Sequence, residues 1–124
     1  MAMLKRTRTR TIYTLRAGTA PVLSAQEIAA RELIDGHPDT VENATLLLGA
    51  LVAERQEQPM PSTSMTVDVL RARRGHQRWS VVDSGLPSLP VGLRSTALDA
   101  LAVAWGVSRE RGLTRTWFEL EVPA

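Results

Sequence analysis

Few side chains in this sequence have the type and spacing that chemistry needs, so the first information lies in what is excluded. The chain contains no cysteine, which removes thiolate nucleophiles, disulfide frameworks and cysteine metal sites together. Its two histidines, His37 and His76, cannot build a multi-histidine metal centre, and no metal site is expected. His37 stands in a Gly-His-Pro segment and His76 in a glycine turn, where both read as solvated. Asp83-Ser84-Gly85, ahead of Pro87 and Pro90, is a turn signature in which the carboxylate accepts a nearby backbone N–H. Arg71, Arg73, Arg74 and Arg78 gather round a second glycine turn and, with the basic start of the chain, could touch nucleic-acid phosphates. No aromatic is interleaved there as a stacking platform and no helix-turn-helix pattern is present, so a solvated turn is preferred.

These residues are positioned by a short series of elements. Thr9 to Leu15 has the β-branched content of a strand. Ser24 and Glu27 fit a capping box opening a helix to about Asp35, with Gly36, His37 and Pro38 as its stop. Asp39 and Glu42 repeat the box ahead of a second helix to about Gln58, in which Val41, Ala44, Leu48, Leu51 and Val52 recur at helical spacing. Residues 64–83 read as a hairpin, with Met65, Val67 and Val69 on one face. A turn-rich loop follows, then a third helix from Ser95 or Thr96 through Leu98, Leu101 and Trp105 to Gly106. Leu113 to Val122 closes the chain as a strand, with Thr116, Phe118 and Leu120 on one face and Trp117 on the other. Tyr13 and Trp117 are therefore candidate interface residues. Amphipathic helices and alternating strands predict an α/β (α+β) two-layer sandwich, three helices on one face of a mixed sheet of about four strands.

At 124 residues, with 44% hydrophobic and 23% charged positions, the chain has the size and composition of one globular domain. No apolar run approaches the ~20 residues of a membrane span, so a cytoplasmic protein is expected. The net charge of +2 is unevenly spread. Residues 1–16 carry five basic residues and no acid, and the remainder ten basic against thirteen acidic residues. A basic tail over 1–8 is expected to precede a single domain over 9–124.

Three segments together resemble a known family. They are Trp79-Ser-Val-Val-Asp83-Ser-Gly85-Leu-Pro87, then Ala97-Leu-Asp99-Ala-Leu-Ala-Val-Ala-Trp105-Gly106-Val107, then Thr116-Trp117-Phe118-Glu119-Leu120. They are similar to the C-terminal half of the anti-sigma-factor serine kinases, bacterial members of the GHKL superfamily with the Bergerat-type fold. The resemblance implies a glutamate on the second helix that activates the attacking hydroxyl and, four residues on, an asparagine that binds Mg²⁺. Aligned through Leu51-Val52, those positions are Ala50 and Glu54. It implies that Asp83 would bond the adenine amine and Gly85 would admit the base. It implies a Gly-x-Gly phosphate site, here Gly92 and Arg94, and a phosphate-reaching threonine, here Arg115. The lid between Gly85 and Gly92 is almost absent.

The cleft formed by Ala50, Glu54, Asp83, Gly85, Gly92, Arg94 and Arg115 therefore reads as vestigial. The expectation is a catalytically inactive regulator, a pseudokinase acting by protein–protein binding in transcription or signalling control. Its expected partners are a sigma factor, an anti-anti-sigma antagonist or a transcription regulator, and a homodimer is implied. No cofactor is expected, with ATP and Mg²⁺ kept as an alternative. The alternative functions are an ATP-binding serine kinase or anti-sigma factor, and a nucleic-acid binder using the arginine-rich tail and hairpin.

Overall fold

The computed structural model describes residues 8–16, 18–34, 36–58, 64–72 and 75–122. The elements in chain order are β1 (Arg8–Arg16), α1 (Pro21–Glu32), α2 (Pro38–Gln56), β2 (Ser64–Ala72), β3 (His76–Asp83), α3 (Leu93–Leu101), β4 (Ala104–Glu110) and β5 (Leu113–Glu121). The expected tail lies largely within residues 1–7, outside the described residues, as do Asp35, the loop 59–63, Arg73 and Arg74.

Both long helices begin on a proline, at the first helical position, where the missing N–H costs nothing and φ is already set. Pro21 thereby opens α1 three residues before Ser24. The Ser24 hydroxyl then bonds back to the Ala20 carbonyl at 2.9 Å instead of capping. Likewise Pro38 opens α2, and its cap is His37, whose Nδ1 accepts the Asp39 N–H at 3.2 Å. Neither expected capping box forms.

The sheet has five strands in the order β1-β2-β3-β5-β4, and every pairing is antiparallel. This corrects the expected mixed sheet of about four strands. Two helices in succession return the chain to the end of the sheet it left, so β2 runs antiparallel to β1. The strands β3 and β4 run parallel across α3, but β5 is inserted between them, so the parallel relation carries no hydrogen bonds. The extra strand comes from residues expected to end the third helix. The α3 helix stops at Leu101, Ala102 turns extended (φ −93°, ψ 146°), and Trp105 pairs with Phe118 in β4.

Alternation then sorts the side chains. Val67, Val69, Trp79, Val81 and Phe118 face the helices and are fully buried. The Trp79 and Phe118 rings stack with centroids 5.9 Å apart. From α2, Leu47, Leu48, Leu51 and Val52 reach the same core at 0% exposure. Fully burying each such side chain contributes roughly 1.5–3 kcal/mol.

Candidate functional site

The C-terminal turns of α2, the end of β3 and the loop 84–92 converge beneath the N-terminus of α3. Asp83 ends β3 facing the helices, and Arg55 reaches it from α2. Arg55 Nε donates to Asp83 Oδ2 at 2.9 Å and Nη2 to Oδ1 at 2.8 Å. The side chains are 0% and 1% exposed. Arg55 Nη2 also donates to the Leu86 carbonyl at 2.9 Å, fastening the loop to the helix. A two-pronged pair of this kind is among the stronger hydrogen-bonded contacts, and its burial makes each partner depend on the other.

The Asx turn expected at Asp83-Ser84-Gly85 is present, the Gly85 N–H donating to Asp83 Oδ1 at 2.9 Å. A Cβ on Gly85 would sit 2.8 Å from Arg55 Nη2. Glycine is therefore needed here to make room for the arginine itself. The Gly85 carbonyl accepts from Thr114 Oγ1 on β5 and from Arg109 Nη1 at 2.8 Å.

Above the pair lies a second cluster. Glu54 Oε1 accepts from Ser88 Oγ and Oε2 from Arg94 Nη1, both at 3.1 Å. Arg94 forks onto Glu57 at 2.8 and 2.6 Å. The Arg94 hydrogen bonds hold the Glu57 carboxyl below its ordinary value, and the bond to Glu57 raises the guanidinium above its own. Gln58 Nε2 donates to Ser88 Oγ at 2.9 Å and to the Glu54 carbonyl at 3.0 Å. Gly92 takes φ 63° as the N-cap of α3, and its carbonyl accepts from Ser95 and Thr96.

Of the seven candidate cleft residues, Glu54, Asp83, Gly85, Gly92 and Arg94 are thus gathered around the loop 84–92. Ala50 lies on the solvent side of α2, in a groove with Leu46, Leu93 and Ala97. Arg115 is on the far face of the sheet, its Nη1 donating to Asp68 Oδ2 at 3.3 Å. Ala50 shares its groove with Arg94 of the cluster, whereas Arg115 pairs with Asp68 instead. A carboxylate and an amide four residues apart do both touch the loop, but they are Glu54 and Gln58, one turn beyond the pairing of Ala50 with Glu54.

The two candidate interface residues also part company. Tyr13 faces inward, donating its hydroxyl to Glu32 Oε2 of α1. Trp117 lies on the outer face, with the Arg78 guanidinium 4.4 Å above its ring. Around it the charges pair off. Asp68 takes Arg10 at 3.2 Å and Arg115 at 3.3 Å, and Glu119 takes His76 at 2.9 Å and Arg78 at 3.3 Å. Burial alone would raise the Glu119 carboxyl, but the bond from His76 and the Arg78 charge outweigh it and hold the group below its ordinary value. Arg71 lies 3.7 Å from Glu32.

Sequence reasoning missed Arg55, although a signal existed. It lies four residues after Leu51 and three after Val52, so it continues the buried stripe of α2. A charge on that stripe calls for a buried partner of opposite sign. Among the described residues no group of His, Asp or Glu could hold a metal ion, and no helix is long and apolar enough to cross a membrane.

No protein-family model and no curated protein matches the chain. A solved structure does, that of the RsbU and RsbW domains of Rv1364c from Mycobacterium tuberculosis, at 16% identity and a TM-score of 0.73. The match covers 92% of this chain and 32% of that one, so the chain spans about a third of its structural neighbour. The architecture of three helices on a five-stranded antiparallel sheet is therefore a fold shared with part of that structure.

Proposed function

We propose that this protein is a regulator of anti-sigma-kinase-like fold that works by binding another protein and no longer uses a nucleotide. The observation that supports this most is the Arg55–Asp83 pair. The resemblance gives Asp83 to the adenine amine, but here both carboxylate oxygens already accept from Arg55 inside a closed contact. A base that displaced Arg55 from the carboxylate would leave a buried guanidinium charge without its anion, held only by the Leu86 carbonyl, at a cost of about 3–5 kcal/mol. That is roughly two to three and a half orders of magnitude in affinity. The residues present do not fit the nucleotide. The partner in this reading is a regulatory protein such as a sigma factor, an anti-anti-sigma antagonist or a transcription regulator. A cytoplasmic setting and a homodimer belong to the same reading.

Titration calorimetry with Mg·ATP tests it. No binding is expected up to about millimolar nucleotide, the range left by the penalty above. Micromolar binding abolished by Asp83→Ala overturns it in favour of the ATP-binding kinase. One observation favours that second reading, the spacing of Glu54 and Gln58 against the loop. Glu54, however, is held by Ser88 and Arg94. The nucleic-acid reading loses support because Arg10, Arg71, Arg78 and Arg115 each lie against an acidic side chain.

A further inference from the structure

Helix α2 carries no charged residue between Ala44 and Ala53. Its inward side is buried on the sheet. Its outward side is also apolar, with Leu46 49% exposed above Ala50 and Ala53. A helix apolar round its whole circumference is normally covered on both sides. Here the outward side floors a groove of about 1130 Å³. Val22 and Ile34 from the α1 side and Leu93 from α3 wall it, at 61%, 81% and 88% exposure. Val91 and Leu89, in the loop before α3, are likewise 73% and 64% exposed. A patch of this kind exceeds the scattered exposed aliphatics normal for a monomer surface.

The charges at its ends select the occupant. Asp39 and Glu42 stand exposed at the start of α2 and Glu57 at its end. The cation at the rim, Arg94, is already forked onto Glu57 and bonded to Glu54. A second copy laying its own α2 here, in either direction, would set acid against acid. The groove lies between helices and has the apolar lining that helix-in-groove recognition uses.

We infer that the outward face of α2 is a docking groove for an apolar helical segment with basic residues at both ends, carried by a partner protein. This rests on the protein-binding reading above and names the chemistry of the partner. The acidic rim attracts the basic ends of the helix and speeds encounter, while Leu46 and Leu93 supply the apolar contact.

The test uses two labelled synthetic helical peptides with the same leucine–alanine stripe, one ending in lysines and the other in glutamates. Each is titrated into the full chain by fluorescence anisotropy, with light scattering for mass. The lysine-ended peptide is expected to bind at least tenfold tighter, less so as salt rises. Leu46→Glu should abolish this binding, and Ile12→Ala, on the opposite face and 58% exposed, should leave it unchanged. Should Leu46→Glu prove misfolded by circular dichroism, Val22→Glu takes its place. Three results overturn the inference. One is absent or unselective peptide binding. Another is a dimer that Leu46→Glu splits, which makes a second copy the occupant. The third is binding only after removal of residues 1–7, which makes the chain's own Met1, Met3 and Leu4 the occupant. Mg·ATP is titrated into the same sample. Nucleotide binding overturns the nucleotide-free reading and leaves the groove standing, whereas failed peptide binding without nucleotide binding overturns the groove alone.

Discussion

Arg55 and Asp83 are each dispensable only if the other goes too. Arg55→Met leaves a buried carboxylate without its cation, and Asp83→Asn leaves the cation without its anion. Each is expected to lose about 3–5 kcal/mol in urea unfolding. Arg55→Met combined with Asp83→Leu should recover a large part of that loss, since neither charge is then stranded. Recovery will be incomplete, because the Gly85 N–H loses its acceptor. Tyr13 gives a pH dependence of known sign. Burial first, and then the bond and charge of Glu32, push its hydroxyl up to about 12 from 10.0. The unfolded chain therefore ionises first. The contribution is whole below pH 10 and is lost as pH rises to about 12. Tyr13→Phe should remove that part of the alkaline slope in unfolding midpoints measured across the window. At this scale the sequence was readable in part. Asp83 and Gly85 were found for their turn, and Glu54 for its place on α2. Arg115 was misplaced because an alignment carries no side-chain direction. One helical turn, or one step along a strand, moves a residue to another surface.

The elements were legible wherever apolar periodicity ran long, as in α2 and the 64–83 hairpin. They were misread where proline or a short segment decided the boundary. Pro21 and Pro38 open helices, and a proline read only as a terminator hides the start it favours. Strand β4 was absorbed into the preceding helix because Leu98, Leu101 and Trp105 happen to keep helical spacing. The turn that pairs β4 with β5 gives little warning either. Arg111 and Gly112 both take positive φ, 53° and 77°, as a two-residue hairpin of this hand requires. Arginine is an uncommon choice for the first of these positions, where a Cβ crowds the following carbonyl. Arg111→Asn should stabilise the protein by about 0.5–1 kcal/mol, seen as a higher urea midpoint at unchanged slope.

Across the whole molecule the two surfaces differ in kind. The outer face of the sheet is laced with charge pairs around Asp68 and Glu119, whereas the helical face leaves large aliphatics in water. Leu46 and Leu93 stand 49% and 88% exposed, so they add little to the core. Leu46→Gln and Leu93→Gln should shift unfolding free energy by no more than about 0.5 kcal/mol while raising solubility. Class and layering could be read from patterning alone, because each helix has an inner stripe and each strand an inner side. Strand order could not, since nothing local to residues 113–121 says that they part β3 from β4. That insertion also bears on how the chain is made. Until residues 113–121 leave the ribosome, β3 has one open edge, Trp79 lacks the ring of Phe118, and β4 has no neighbour. Synthesis at roughly 5–20 residues per second keeps the unfinished sheet waiting for the strand that joins β3 to β4. A nascent chain stalled before Leu113 is then the form most in need of a chaperone.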